Sequence, residues 1–257
     1  YDYAGGRPVR GGALTRLATL VHTARAEAEA EDRALLLLDN GDSMQGTPMG
    51  DMAAVATEGL PHPLMHAFGI MGYDAIGLGN HDFNYGLPFL ERTVAGAAFP
   101  VVVANVDRAD GTPFLPRSVL LDREFRDHAG EKQSLCIGVI GLTPPQITKW
   151  DSALLAGHVR TRPIVEAARA EAEALRAAEA DLVIALCHSG LGSGEESPDM
   201  ENALLPLAAS GAADAIVSGH THQVIPMDGQ TGLIHGIPVV QAGFFGSHLG
   251  QITLDLT

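Results

Sequence analysis

Four short polar clusters, each standing directly behind an apolar run, constrain this 257-residue chain more than any other feature. Asn40-Gly41-Asp42 follows the run 34–39, and Gly79-Asn80-His81-Asp82 follows 75–78. Cys187-His188-Ser189-Gly190 follows 182–186, and Gly219-His220-Thr221-His222 follows 215–217. Short apolar runs closed by turn-forming residues read as buried strands. Helical patterns lie between them. Leu14, Leu17, Val21 and Ala24 recur at helical spacing in a segment reaching about residue 31, and further helices are expected at 61–71, 87–95, 163–179 and 202–209. Strands alternating with helices predict an α/β fold, in which loops from several strands converge at one sheet edge where ligands collect. Four polar clusters at four strand ends therefore predict one site.

The middle of the chain breaks the alternation. Residues 118–121 and 134–141 read as an antiparallel pair joined by a long polar connection, 122–133. Strands are also expected at 101–104, 239–241 and 251–256, and the loop 192–198 is the best candidate for a mobile segment. No repeat or low-complexity linker divides the sequence, and its length suits one large core. Charge narrows the function. With 31 acidic and 16 basic residues the net charge is −15, and only Lys132 and Lys149 are lysines. A nucleic-acid polymer or an anionic membrane is therefore not the expected partner. No apolar run approaches the roughly 20 residues that span a bilayer. The same charge makes an anionic substrate awkward unless a bound metal supplies positive charge. Cys136 and Cys187 read as buried small side chains rather than a disulfide. Tyr1 is not an initiator methionine, so the chain reads as processed or as part of a longer one.

Asp42, Asn80, His188, His220 and His222 together offer one carboxylate, one amide oxygen and three imidazoles. That donor set suits zinc, manganese or iron, with no thiolate to favour a structural zinc. Singly, each residue has a plain explanation: Asn-Gly-Asp and Gly-Asn are ordinary turn sequences, and a lone histidine behind a strand is more often packed than metal-bound. Jointly they predict a metal site. A carboxylate can bridge two cations, and histidines at i and i+2 on extended backbone can serve neighbouring ions. Two such cations would polarise a phosphoryl oxygen and lower the pKa of a shared water. His62 and His66, four apart, could form a metal pair but read as a surface or lid helix, because neither ends a strand. His248 is assigned to packing or to support of the site, Asn105 to its neighbourhood, and Met44, Met49, Met52 and Met65 to packing.

In this order, Asn40-Gly41-Asp42, Gly79-Asn80-His81-Asp82, His188 and Gly219-His220-Thr221-His222 resemble the motif set of the calcineurin-like metallophosphoesterases. Gly79-Asn80-His81-Asp82-Phe83-Asn84-Tyr85-Gly86-Leu87 is similar to the bacterial 2′,3′-cyclic-nucleotide 2′-phosphodiesterase/3′-nucleotidase branch of the 5′-nucleotidase family. Ala104-Asn105-Val106, Pro144-Pro145-Gln146, Trp150-Asp151, His188-Ser189-Gly190-Leu191 and Phe245-Gly246-Ser247-His248-Leu249-Gly250 support the same branch. The similarity spans essentially the whole chain.

The resemblance implies a four-layer α/β/β/α sandwich with two mixed sheets across residues 1–257. It implies that Asp42 bridges two divalent metals (zinc, manganese or iron), that Asn80, His188 and His220 complete the second metal, and that His222 binds the first. His81 matches a histidine that contacts the phosphoryl group. Asn105 is assigned to substrate binding, and Asp82 and Asn84 to supporting the site. The implied reaction is hydrolysis of nucleotide phosphoesters, 2′,3′-cyclic nucleotides and 3′-nucleotides first, by in-line attack of a metal-activated water. The implied location is periplasmic or cell-wall associated. The alternatives are a 5′-nucleotidase or related phosphomonoesterase on the same site, and a non-catalytic fragment that binds metal or phosphate. Two departures stand out. The family's Asp-x-His behind its first strand has no counterpart, and Tyr1-Asp2-Tyr3 resembles the family sequence a few residues beyond that motif. The first strand and both ligands are therefore expected upstream of Tyr1. A C-terminal nucleotide-binding domain is likewise not represented in the sequence. The 5′-nucleotidase branch carries an Asp where Asn84 stands, orienting the catalytic histidine; Asn84 lacks that charge, which favours the cyclic-phosphodiesterase branch.

Overall fold

A computed structural model describes residues 13–56, 62–127 and 129–256; Tyr1-Asp2-Tyr3 lie outside them. The elements run α1 (Leu14–Ala30), β1 (Leu38–Asp39), α2 (Pro48–Val55), α3 (Pro63–Met71), β2 (Ala75–Gly77), a 3-10 turn (His81–Phe83), α4 (Leu87–Ala95), β3 (Val101–Val102) and β4 (Val106–Arg108). They continue as β5 (Ser118–Arg126), β6 (Lys132–Leu142), α5 (Ile147–Trp150), α6 (Ser152–Leu155), β7 (Val159–Thr161), α7 (Ile164–Ala177) and β8 (Leu182–Cys187). The last are α8 (Leu204–Ala209), β9 (Ala215–Ser218), β10 (Val224–Ile225), β11 (Leu233–Ile234) and β12 (Ile237–Ala242).

Period-two alternation sorts the strand residues into three apolar layers. Ala75 of β2, Ile137 and Val139 of β6 and Leu186 of β8 point inward and pack between two sheets. Ile76 and Val101 point the other way, against Val21 of α1, Met65 and Phe68 of α3, and Leu90 of α4. Ile140, Leu142, Val183 and Ala185 turn outward against Val165, Ala168 and Leu175 of α7 and Leu207 of α8. Helix, sheet, sheet, helix is the four-layer order. One sheet, β1-β2-β3, is parallel in its described strands; the other, β10-β12-β9-β8-β6-β5 with β11 on β12, is mixed. The small β4–β7 pair stands apart. Strand ends β1, β2, β8 and β9 carry the four polar clusters.

Several expected boundaries move, each for a local reason. The 34–39 strand pairs only at Leu38 and Asp39, because Asp74 takes both backbone groups of Leu37: its carboxylate accepts the Leu37 N–H at 2.7 Å, and its own N–H donates to Leu37 O at 2.8 Å. Residues 122–133 are not a long connection. β5 and β6 pair without a break from Ser118–Ile140 to Arg126–Lys132. Every second residue of β5 faces solvent, and such a strand carries polar residues. Residues 251–256 form no ladder among the described residues; Ile252, Leu254 and Leu256 instead border the same large cavity as β1. Helix α8 starts at Leu204 because Asn202 spends its side-chain oxygen on the Gly190 N–H at 3.0 Å. Helix α2 was not expected, although Thr47 caps it through Gly50 N at 3.1 Å and Pro48 sits in its first turn. Cys136 is half-buried and Cys187 buried, and both are free thiols; burial pushes Cys187 up to about 12.

Glycine sets the distance between the sheets. A Cβ at Gly141 on the inner face of β6 would lie 2.0 Å from Val102 O, and one at Gly77 of β2 would lie 3.2 Å from Leu186 Cβ. Since the obstacle at Gly141 is backbone, Gly141→Ala is expected to lower stability to urea by about 3 kcal/mol, the upper range of overpacking. Gly194→Ala, with open space around it, serves as the neutral control. Equal stability of the two variants would contradict close sheet contact at Gly141.

Candidate metal centre

Two loops from adjacent parallel strands must meet here, and a buried carboxylate joins them. Asp82, 1% exposed, accepts backbone N–H groups from Asp42 (2.8 Å), Ser43 (2.9 Å), Met44 (3.0 Å) and Gly79 (2.9 Å). Burial, and after it the charge of Asp42, pushes its carboxyl up to about 6 despite these amides. The loops touch so closely that a Cβ at Gly41 would lie 2.0 Å from Gly79 N. Asp42, His220 and His222 all have positive φ (56°, 70° and 58°), a strained backbone that needs surrounding contacts to hold it. Gln241, with its amide oxygen turned toward the loop, accepts from His222 N at 3.1 Å and Gln223 N at 2.9 Å.

The donor atoms meet in pairs. His188 is 4% exposed, and its Nδ1 lies 2.7 Å from Asn40 O, so Nδ1 carries the hydrogen and donates it. Nε2 of the neutral ring then holds a lone pair, buried without a hydrogen-bond partner among the described residues and 3.0 Å from Asp42 Oδ2. His220 repeats the pattern in reverse. Its Nε2 lies 2.7 Å from Glu201 Oε1, which leaves a lone pair on Nδ1, 2.9 Å from Asn80 Oδ1. The two rings are 5.6 Å apart. Each pair then sets acceptor against acceptor, an arrangement that a cation or a proton between them would resolve. Spacings of 3.0 and 2.9 Å are short enough for the two donors of each pair to share one divalent cation. Among the described residues no three His, Cys, Asp and Glu side chains close on one point, so Asp42, His188 and His220 are not gathered around a single position; the donors stand as two pairs. The residues thus fit a divalent metal as two adjacent pairs. With a proton on Nε2 instead, Asp42 and His188 form a buried ion pair. Burial works to raise Asp42, but the His188 hydrogen bond and charge hold it below its ordinary value. Burial works to lower His188, but Asp42 holds it above.

His81 is joined to the same carboxylate, its N–H donating to Asp42 Oδ1 at 2.7 Å. Asn84 Oδ1 lies 2.7 Å from its Nδ1, which leaves the Nε2 side for a ligand. Asp42, His81, His188, His220 and His222 all line one cavity of about 1640 Å3. Trp150 stacks on His220 (5.9 Å, 21°) and Phe244 on His222 (5.1 Å, 24°).

Other expected residues lie elsewhere or act differently. Asn105 is fully buried and not at the cavity: its amide donates to Thr143 O at 2.7 Å and Arg162 O at 3.2 Å and accepts from Thr143 N at 3.0 Å, so it ties strands together and has nothing left for a substrate. His62 is not on the surface; it is buried, caps α3 through Leu64 N at 3.3 Å and meets the edge of Phe89. His66 is exposed, as is His248, whose Nδ1 bonds the neighbouring Ser247 Oγ at 2.8 Å. Met44 and Met65 are core residues, whereas Met49 and Met52 are 58% and 71% exposed. Glu201 and Gln241 had no signal in the sequence, because each reaches the site from a distant position. Trp150-Asp151 could have been found from its motif.

Asp82 gives a direct test of the loop junction. Asp82→Asn would aim an NH2 at N–H donors, and Asp82→Ala would leave four amides unpaired. An unsatisfied buried donor costs about 1–3 kcal/mol, so both variants are expected to lose at least about 3 kcal/mol in urea unfolding. Wild-type stability of Asp82→Asn would sink this account of the junction.

The family model for calcineurin-like phosphoesterase matches residues 10–224. The trifunctional nucleotide phosphoesterase protein YfkN of Bacillus subtilis (strain 168) is 37% identical over 272 residues, covering all of this chain and 18% of that protein. The 2′,3′-cyclic-nucleotide 2′-phosphodiesterase/3′-nucleotidase of Yersinia enterocolitica is 38% identical over 268 residues, covering all of this chain and 40% of that protein. The chain therefore spans less than half the length of these curated relatives. The crystal structure of calcineurin-like phosphoesterase YfkN from Bacillus subtilis matches with a TM-score of 0.86 at 37% identity, covering 96% of this chain and 77% of that one. With a family match over most of its length and this shared fold, the chain belongs to the calcineurin-like phosphoesterase family.

Proposed function

We propose that this chain is the catalytic domain of a metal-dependent hydrolase of nucleotide phosphoesters, with 2′,3′-cyclic nucleotides and 3′-nucleotides as its substrates. The observation that carries the reading is the pair of acceptor–acceptor contacts, Asp42 Oδ2 with His188 Nε2 and Asn80 Oδ1 with His220 Nδ1. Asp42, Asn80, His188 and His220 are the proposed ligands of one cation. Asp42 and His222 contribute to a second. Divalent metal at such a site supplies a Lewis acid for a phosphoryl oxygen and lowers the pKa of water. Zinc, manganese and iron all suit this donor set.

The protein's own groups account for the rest. With Nδ1 engaged by Asn84, His81 offers Nε2 to the substrate, and in its protonated form it donates to a phosphoryl or departing ribose oxygen. The metal charge would offset a net charge of −15 that would otherwise repel a phosphate. Trp150 and Phe244, 47% and 49% exposed, back the two ligand histidines and keep their rings from turning. The name of the Yersinia enterocolitica relative directs the substrate assignment toward cyclic and 3′-nucleotides. A periplasmic or cell-wall location is part of the same proposal; among the described residues no helix is long and apolar enough to cross a membrane.

Turnover of a 2′,3′-cyclic and a 5′-mononucleotide, side by side, by the full-length protein tests the substrate. Faster hydrolysis of the cyclic nucleotide is expected, and faster hydrolysis of the 5′-nucleotide would overturn the choice. His81→Ala is expected to lower kcat by about 100-fold or more, the range of a lost acid or oxyanion donor. Chelation should abolish turnover, and activity that survives it would contradict the metal assignment.

A further inference from the structure

His81 does not stand on Asn84 alone. Asn84 Nδ2 lies 3.1 Å from Asp151 Oδ1 and 2.9 Å from Asp151 Oδ2, and Asn84 Oδ1 lies 2.7 Å from His81 Nδ1. A carboxylate only accepts hydrogen bonds, so the NH2 end of Asn84 must face Asp151. The oxygen end must then face His81. An amide oxygen also only accepts, so His81 Nδ1 must carry a hydrogen. We infer that Asp151 is a positioning residue for His81: acting through the Asn84 amide, it fixes which nitrogen of the ring is protonated and supplies the negative charge that Asn84 itself lacks.

The placement of Asp151 supports this. It directly follows Trp150, the last residue of α5, whose ring stacks on His220 at 5.9 Å. One turn of chain therefore braces the ligand histidine through an aromatic face and the phosphoryl-contacting histidine through an amide. Asp151 is half-buried, and the Asn84 NH2 donates to both of its oxygens. An Asp at position 84 would reach His81 directly but would set two carboxylates against each other while Asp151 remains. The pair is thus expected to exchange chemistry only as a unit.

The inference rests on the role proposed above for His81, and the test separates the two. The tautomer of His81 is read by 15N NMR of the chain at a pH where the ring is neutral. In the wild type the hydrogen should sit on Nδ1. In Asp151→Asn the Asn84 amide is free to turn, and the Nε2–H form should appear. In the full-length protein the same variant is expected to lose about 10- to 100-fold in kcat with little change in KM, as for other partners that orient a catalytic ring. Asn84→Asp alone should also lose activity, and Asn84→Asp combined with Asp151→Asn should recover much of it, a non-additive gain. Asp151→Ala, which removes the carboxylate and leaves Asn84 in place, should release the tautomer as well and decides the matter if Asp151→Asn does not fold. An unchanged tautomer and unchanged kcat in Asp151→Asn would overturn the inference, as would losses that simply multiply in the double variant. If His81→Ala keeps full activity, the proposed role of His81 fails instead, whatever the tautomer shows.

Discussion

The site depends on one carboxylate that never meets the substrate. The loops behind β1 and β2 leave neighbouring strands about 4.8 Å apart and run side by side, so their backbone N–H groups point into one small volume. An ionised carboxylate is a group there with enough lone pairs for four donors and no hydrogen of its own. Asp82 is that group. By drawing in the amide of Asp42 it sets the left-handed turn at that residue, and the turn aims the Asp42 side chain at His188 on one side and at the His81 N–H on the other. A structural contact thereby becomes a functional one.

Strain and support are distributed in the same way elsewhere. Left-handed backbone at Asp42, His220 and His222 is unfavourable by about 1–3 kcal/mol at each residue and persists only where neighbours enforce it. The neighbours are visible: Asp82 for the first, Gln241 and the stacked Trp150 and Phe244 for the other two. Behind them stand strands buried on both faces, with glycines at Gly77 and Gly141 holding the sheets close.

Much of this was legible from residue order, and the exceptions share a cause. The strand-end clusters, the alternation of strand and helix, and α4 at Leu87–Ala95 arise from local periodicity, which a sequence displays directly. What failed was anything decided by a distant partner. Asn105 looked like a substrate contact, yet Thr143 and Arg162 use its whole amide. The polar stretch after Leu121 looked like a loop, yet it forms half of a hairpin whose outer face is wet. Glu201, behind His220, carries no pattern that distinguishes it from a surface acid, and the Trp150-Asp151 motif did not show that Asp151 stands behind Asn84. Asn84 is the instructive residue: it appeared to leave His81 without a negative partner, and the partner lies one amide further away.

The central claim is that two pairs of acceptors face each other because a metal belongs between them. The most direct measurement is a Zn2+ titration of the chain monitored by 15N NMR of its histidine side chains. The account predicts saturable binding in which His188 is ligated through Nε2 and His220 through Nδ1, with the hydrogens kept on His188 Nδ1 and His220 Nε2. Histidine signals that do not respond to the metal, with His188 Nε2 still protonated against Asp42, would contradict it.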